Sequence, residues 1–267
     1  MQTIERAAGM QMNRREFLGC LAVGSTLLPL AMPSLAAKTP IHERLGIQLY
    51  TVREGLSSDL RGTVEGLKEI GFKEAELCRW LDLPTTARAL RDVGITPVGS
   101  LFEGAIITGN WSSWEGAGVP TPVPDYGVEH AIEETLDHDL RHVGVAYIFP
   151  SERESLDAYR GLADVMNAAG EKCNAAGVRF IYHNHAFEFE PIGGLTPFGI
   201  LTDRLDSALV GLELDVCWAS IGGVDPVELL ADFPQFIEDD ARERQDRCRA
   251  RYVRSAGHIA GIDDRGW

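Results

Sequence analysis

The chain has 267 residues, 45% of them hydrophobic, and a formal net charge of -15. This length suits one large domain or two small ones with a real core. So acidic a chain is repelled by phosphate backbones, so no nucleic-acid partner is expected.

Residues 1–36 read as an export segment. Arg14 and Arg15 stand just before an apolar run at 20–32, and Ser34 and Ala36 are placed for cleavage. The run is shorter than the roughly 20 apolar residues that span a bilayer. No stable membrane anchor is therefore expected. The twin-arginine pattern resembles signals of bacterial proteins exported already folded, which makes a periplasmic or exported location the expectation. Five cysteines are present. Cys20 lies in the export segment, and Cys78, Cys173, Cys217 and Cys248 form no C-x-x-C pair, which argues against a zinc ribbon or a redox motif. Cys78 and Cys217 each end a predicted strand and read as buried free thiols.

Strand and helix patterns then alternate. Residues 45–50 read as a strand, 60–70 as a helix stopped by Gly71, 72–77 as a strand, 85–93 as a helix stopped by Gly94, and 95–101 as a third strand. Residues 103–125 break the rhythm with Gly, Pro, Ser, Trp111 and Trp114, and read as a long functional or mobile loop. A helix is expected at 126–142, a strand at 143–149, and a long helix at 151–176. The fifth strand opens at Gly177 and runs into His183, Asn184 and His185. Val178, Phe180 and Tyr182 fall on one face, and Arg179, Ile181, His183 and His185 on the other. A helix at 196–205, a strand at 209–216 and a helix capped by Asp225 with Pro226 in its first turn complete the series.

Six alternations point to a parallel sheet with helices outside, either a (β/α)8 barrel or a doubly wound open sheet. No G-x-G-x-x-G follows the first strand, so a dinucleotide site lacks support. In a barrel, active residues occupy the C-terminal strand ends. Gln48, Tyr50, Glu76, His183, His185 and Asp215 fall there. Glu213 and Asp215 share a strand face, and two buried carboxylates demand cations or a metal. Imidazole with carboxylate suits Mn²⁺, Zn²⁺ or Fe²⁺ better than Ca²⁺. A structural ion pair between Glu213 and Arg179 is the alternative.

Four segments together carry a resemblance: 46–53 (GIQLYTVR), 71–77 (GFKEAEL), 182–189 (YHNHAFEF) and 212–226, from Leu212-Glu213-Leu214-Asp215 to Asp225-Pro226. Over residues 44–234 the chain resembles the sugar phosphate isomerase/epimerase family, xylose isomerase-like TIM barrels distantly similar to endonuclease IV. The resemblance implies a divalent metal (Mn²⁺, Zn²⁺, Mg²⁺ or Fe²⁺) at the C-terminal mouth. His183 stands at the fifth-strand ligand position, commonly Glu, and Asp215 at the sixth-strand ligand position. Glu76 matches a pocket carboxylate, and Glu76 and His185 are the candidate catalytic pair. Gln48, Tyr50, Glu188, Glu213 and Trp218, with the Trp111–Trp114 loop, would line the site of a small sugar. The implied chemistry is isomerisation or epimerisation through loss of a proton next to a carbonyl.

Leu101-Phe102-Glu103 offers none of the histidine common in the third-strand loop of such proteins. After Phe233-Pro234 the expected His-Val-Lys-Asp strand does not follow. Residues 237–267 are instead rich in Arg and acidic residues, and read as a frameshifted, truncated or divergent tail in which His258 is a remote substitute ligand. The expected layout is an export signal (1–36), an incomplete barrel of about six βα units (37–236) and this tail. An unclosed barrel exposes sheet edges, so marginal stability is expected. Elimination or hydrolysis of a 3-keto-glycoside, and non-catalytic periplasmic carbohydrate binding, are the alternative functions. A DNA-repair nuclease is disfavoured by the acidic charge and the export segment.

Overall fold

The computed structural model describes residues 45–236. The expected export signal (1–36) and charged tail (237–267), with Cys20, Cys248 and His258, lie outside the described residues. Six strands form one parallel sheet in chain order: β1 Gly46–Gln48, β2 Glu74–Cys78, β3 Thr96–Phe102, β4 His142–Val145, β5 Arg179–His183 and β6 Val210–Glu213. A doubly wound sheet reverses its strand order partway across. The unbroken order β1 to β6 is instead the winding of a (β/α)8 barrel, six strands of which are present among the described residues. Among the described residues the fold is therefore six βα units of a TIM barrel.

Ten α-helices connect or follow these strands within the described residues: α1 Arg53–Ser58, α2 Leu60–Ile70, α3 Leu83–Asp92, α4 Ala105–Thr108, α5 Trp111–Gly116, α6 Val128–Asp137, α7 Leu156–Ala175, α8 Pro197–Arg204, α9 Val216–Ile221 and α10 Pro226–Asp232. None is long and apolar enough to cross a membrane. Local chemistry sets their ends. The Asp59 carboxylate accepts from the Gly62 N–H at 2.9 Å and caps α2. Gly71, at φ 110°, closes the same helix in a left-handed turn that suits glycine. Asp225 accepts from the Val227 N–H at 2.8 Å and caps α10.

Strand alternation then sorts the side chains. Ala75, Leu77, Val143, Val145, Phe180 and Val210 face outward and pack with helix residues such as Val64, Leu90 and Met166 in one core. The inward face is far more polar. Its lower part is built on a buried pair, Glu76 and His142, with Nε2 and Oε1 2.6 Å apart. A register shift between Ala75 and Glu76 brings Gly99 opposite Glu76. The imidazole of His142 fills the space where a side chain on Gly99 would lie.

Three segments differ from the sequence expectation. The helix expected over 126–142 ends at Asp137, because Asp139 takes a left-handed turn at φ 49° and Leu140 N–H closes onto the Thr135 carbonyl. His142 therefore starts β4 rather than ending a helix. Residues 103–125 are not a continuous loop: α4 and α5 form within them, the second capped by Asn110. Buried Glu103 anchors the base of this segment through Arg79, whose guanidinium donates to both carboxylate oxygens. The strand expected at 143–149 ends at Val145, which leaves Tyr147 and Phe149 on the rim.

A methyl group on Gly99 would sit 1.9 Å from His142 Nε2. Gly99→Ala should therefore break the Glu76–His142 pair and cost about 2–4 kcal/mol, read as a lowered denaturant midpoint. An unchanged midpoint would mean that the pair does not depend on this space.

Candidate functional site

The parallel register carries β5 and β6 to the same rim and sets His183 beside Glu213. There the His183 imidazole lies between two carboxylates. Nδ1 is 3.6 Å from Glu213 Oε2, and Nε2 is 3.6 Å from Asp215 Oδ2. The Glu213 side chain is 14% exposed and Asp215 26%, so the cluster opens to solvent on the Asp215 side. Asp215 is held three ways. Its Oδ1 accepts from the Trp218 N–H at 2.8 Å, which makes it the N-cap of α9. Buried Asn184 grips its backbone: Oδ1 accepts from the Asp215 N–H at 2.8 Å, and Nδ2 donates to the Asp215 carbonyl at 3.2 Å. The middle residue of His-Asn-His thus ties the β5 rim to the β6 rim.

The electrostatics follow from this placement. Burial alone would lower the pKa of His183, but the nearby carboxylate of Glu213, then the charge of Asp215, outweigh it and raise the pKa. His185 goes the other way. Burial, and next the charge of His183, push it down to about 3, so it stays neutral at ordinary pH. Its ring stacks on Phe187 at 5.3 Å and lies 5.2 Å from Trp218 and 5.4 Å from His183, between centroids. His185 and Trp218 together form an aromatic bed beside the carboxylates.

The other sequence-picked residues fall elsewhere. Glu76 sits inside the barrel against His142, not at the rim. Gln48 uses its side chain internally, accepting from the Tyr50 N–H at 2.8 Å and donating to Cys78 Sγ at 3.1 Å. Arg179 donates to the carbonyls of Ser207 and Ala208, at the opposite end of β5 from Glu213. Glu188 was expected against the sugar, yet it is 0% exposed. It accepts from the Tyr182 hydroxyl and from the His185 N–H at 2.8 Å, so its placement fits holding the His185 turn from behind. Cys78 and Cys173 are buried free thiols, and Cys217 is a half-buried free thiol on α9.

Can this site hold the expected metal? Two ligands on one ion, each at about 2.1 Å, lie within about 4.2 Å of one another. His183 Nε2 and Asp215 Oδ2 meet that condition at 3.6 Å. Glu213 faces the opposite ring nitrogen, and among the described residues no three His, Cys, Asp or Glu converge on one point. Two donors fall short of a complete protein site.

Beside the cluster lies a chamber of about 580 Å³. Its walls are the rings of Tyr50, Trp80, Trp114, Tyr147 and Phe149, and α1 forms one rim. Trp80 and Trp114 lie 5.9 Å apart, and Trp114 meets Phe149 edge-on at 5.3 Å. Tyr147 also meets His185 edge-on at 5.8 Å, so one ring is shared between the chamber and the histidine bed. The sequence reading missed Trp80, Tyr147 and Phe149. Their position just past the ends of β2 and β4 is the signal that could have found them.

No family model matches the sequence, and no curated protein matches it. Solved structures do share its fold. One is a sugar phosphate isomerase/epimerase from Parabacteroides distasonis ATCC 8503, with a TM-score of 0.58 and 20% identity over 76% of this chain and 77% of that one. A second sugar phosphate isomerase/epimerase from the same organism has a TM-score of 0.57 and 18% identity over 72% of this chain and 75% of that one. At such identities the likeness establishes the barrel, and the rim residues must be read on their own chemistry.

Burial drives the Glu188 pKa up to about 7, despite the opposing hydrogen bonds from Tyr182 and His185 and the charge of Arg153. Tyr159 faces the same group. A carboxyl raised in the folded state favours folding when protonated. That stability is full below the ordinary carboxylate pKa and is lost as pH rises through about 7. Glu188→Gln mimics the neutral acid. Wild type should therefore lose stability relative to this variant between about pH 4.5 and 7.5, by on the order of 3 kcal/mol at most, in paired denaturation curves. Parallel pH profiles for the two proteins would contradict the buried acid.

Proposed function

We propose that this chain is a sugar isomerase or epimerase that moves a proton on the carbon next to a carbonyl. The observation that carries this is the placing of His183 between Glu213 and Asp215 on the C-terminal rim of adjacent parallel strands, the face where barrel enzymes do their chemistry. An open-chain or oxidised sugar lying over the His185–Trp218 bed would present its carbonyl oxygen to the His183 N–H. Asp215 Oδ2, on the solvent side of the cluster, accepts the proton from the adjacent carbon. The C–H electrons move into the new C=C bond, and the carbonyl π electrons move onto oxygen. Return of the proton to the former carbonyl carbon, with the hydroxyl proton of the first carbon passed to the former carbonyl oxygen, gives the isomer, and return to the opposite face of the first carbon gives the epimer. Asn184 acts as a positioning residue, since it fixes the backbone that carries Asp215.

No step here is assigned to a metal, because His183 and Asp215 alone do not complete a site. The expected divalent ion (Mn²⁺, Zn²⁺, Mg²⁺ or Fe²⁺) would need ligands beyond these two. Loss of a proton next to a carbonyl also begins elimination from a 3-keto-glycoside, so such sugars belong in any substrate panel. The His185–Trp218 bed beside the carboxylates favours one other reading, carbohydrate binding without turnover. The paired arginines at 14–15 support a place outside the cytoplasm, where phosphorylated sugars are scarce.

The test is product formation from aldoses, ketoses and 3-keto-glycosides, with chelator and with added Mn²⁺. Isomerised, epimerised or cleaved product is expected, and Asp215→Asn should lower the rate roughly a hundredfold or more without loss of folding. A rate abolished by chelator would show that further ligands complete a metal site. Sugar binding without any product, in folded protein under both conditions, would replace the enzyme reading with the binding one.

A further inference from the structure

The aromatic chamber has no part in the chemistry proposed above. None of its wall residues is His183, Glu213 or Asp215, and Tyr147, edge-on to His185, links it to the histidine bed. Its volume of about 580 Å³ lies within the roughly 300–1,000 Å³ of sites that hold drug-sized ligands. A bare monosaccharide seated at His183 would leave it empty. Its walls are also wrong for a second sugar ring by itself. They are mostly apolar, five aromatic rings together with Leu81, Ala117 and Val119, while the polar groups of Arg53, Glu54, Ser57 and Ser58 gather on the α1 rim. A sugar ring carries hydroxyls on all sides, and burying them among apolar rings without hydrogen bonds is costly. A flat apolar ring loses nothing there and gains offset or edge-on aromatic contacts.

We propose that the chamber is a subsite for a flat, apolar ring attached to the sugar, so that the ligand is an aryl-substituted sugar rather than a bare one. This rests on the reading of the His183 cluster as a sugar site. The sugar would lie over His185, the linkage would pass Tyr147, and the ring would enter between Trp80 and Phe149.

The probes are phenyl β-D-glucopyranoside and methyl β-D-glucopyranoside, with the corresponding galactosides, mannosides and xylosides, measured by calorimetry on the folded full chain. For at least one sugar the phenyl compound should bind at least roughly tenfold tighter than the methyl one, the gain expected from burying one aromatic ring. Ser57→Trp, at an exposed rim position, should block the chamber and erase that gain while leaving methyl-glycoside binding unchanged. Trp80→Ala should reduce the gain in the same selective way. Equal affinity within every pair, no binding of any probe, or a gain that persists in both variants overturns the proposal. The enzyme reading fails separately. A phenyl gain with no turnover of any carbonyl sugar keeps the subsite and removes the reaction, whereas turnover with equal affinities does the reverse.

Discussion

The mouth of this barrel depends on one imidazole shared by two carboxylates. Glu213 and Asp215 would repel each other and resist burial in a sheet interior. His183 lies between them, one ring nitrogen toward each. That arrangement exists only because β5 and β6 are parallel and in a register that sets His183 against Glu213. A slip of one residue in either strand would turn that strand's side chain to the helix face. Asn184 secures the register where the ladder ends, by bonding both backbone groups of Asp215. The charge cluster and the strand pairing therefore hold each other in place.

Behind the cluster stands a second device. The turn after His183 folds Glu188 back into the protein, under the His185 N–H and against the Tyr182 hydroxyl. Tyr182 faces the helices while its neighbour His183 faces the barrel. Glu188 thus links the outer core to the inner site. The His185 ring, fixed by this turn, forms a bed with Phe187 and Trp218 and touches the chamber through Tyr147. Lower in the barrel, Glu76 and His142 do similar work, closing the interior beneath the site with a hydrogen-bonded pair.

Much of this was legible in the sequence, and the limits have physical causes. Period-two alternation put Val178, Phe180 and Tyr182 on one face, and that face packs in the core because β5 is regular up to His183. The same rule has no force past the strand end, where a 3-10 turn at Ala186–Phe189 sends Glu188 inward. Apolar spacing suggested a helix through residue 142, since nothing local marks that His142 pairs with a carboxylate 66 residues away. Gln48 does end β1, whereas Glu76 lies in the middle of β2, and whether an inward side chain meets solvent or a neighbour is decided by tertiary partners. The chamber was invisible for the same reason. Its rings come from the segments just past β1, β2 and β4 and from α5, and only the folded barrel brings them together.

The central claim is that this rim removes and returns a proton next to a carbonyl. It is tested most directly by incubating candidate carbonyl sugars with the protein in D₂O and following deuterium entry at the adjacent carbon by NMR. The account predicts incorporation at one carbon with wild type, even where net conversion is small, and its loss in Glu213→Gln/Asp215→Asn protein that still folds. No incorporation into any sugar that binds, or incorporation undiminished in the double variant, would contradict it.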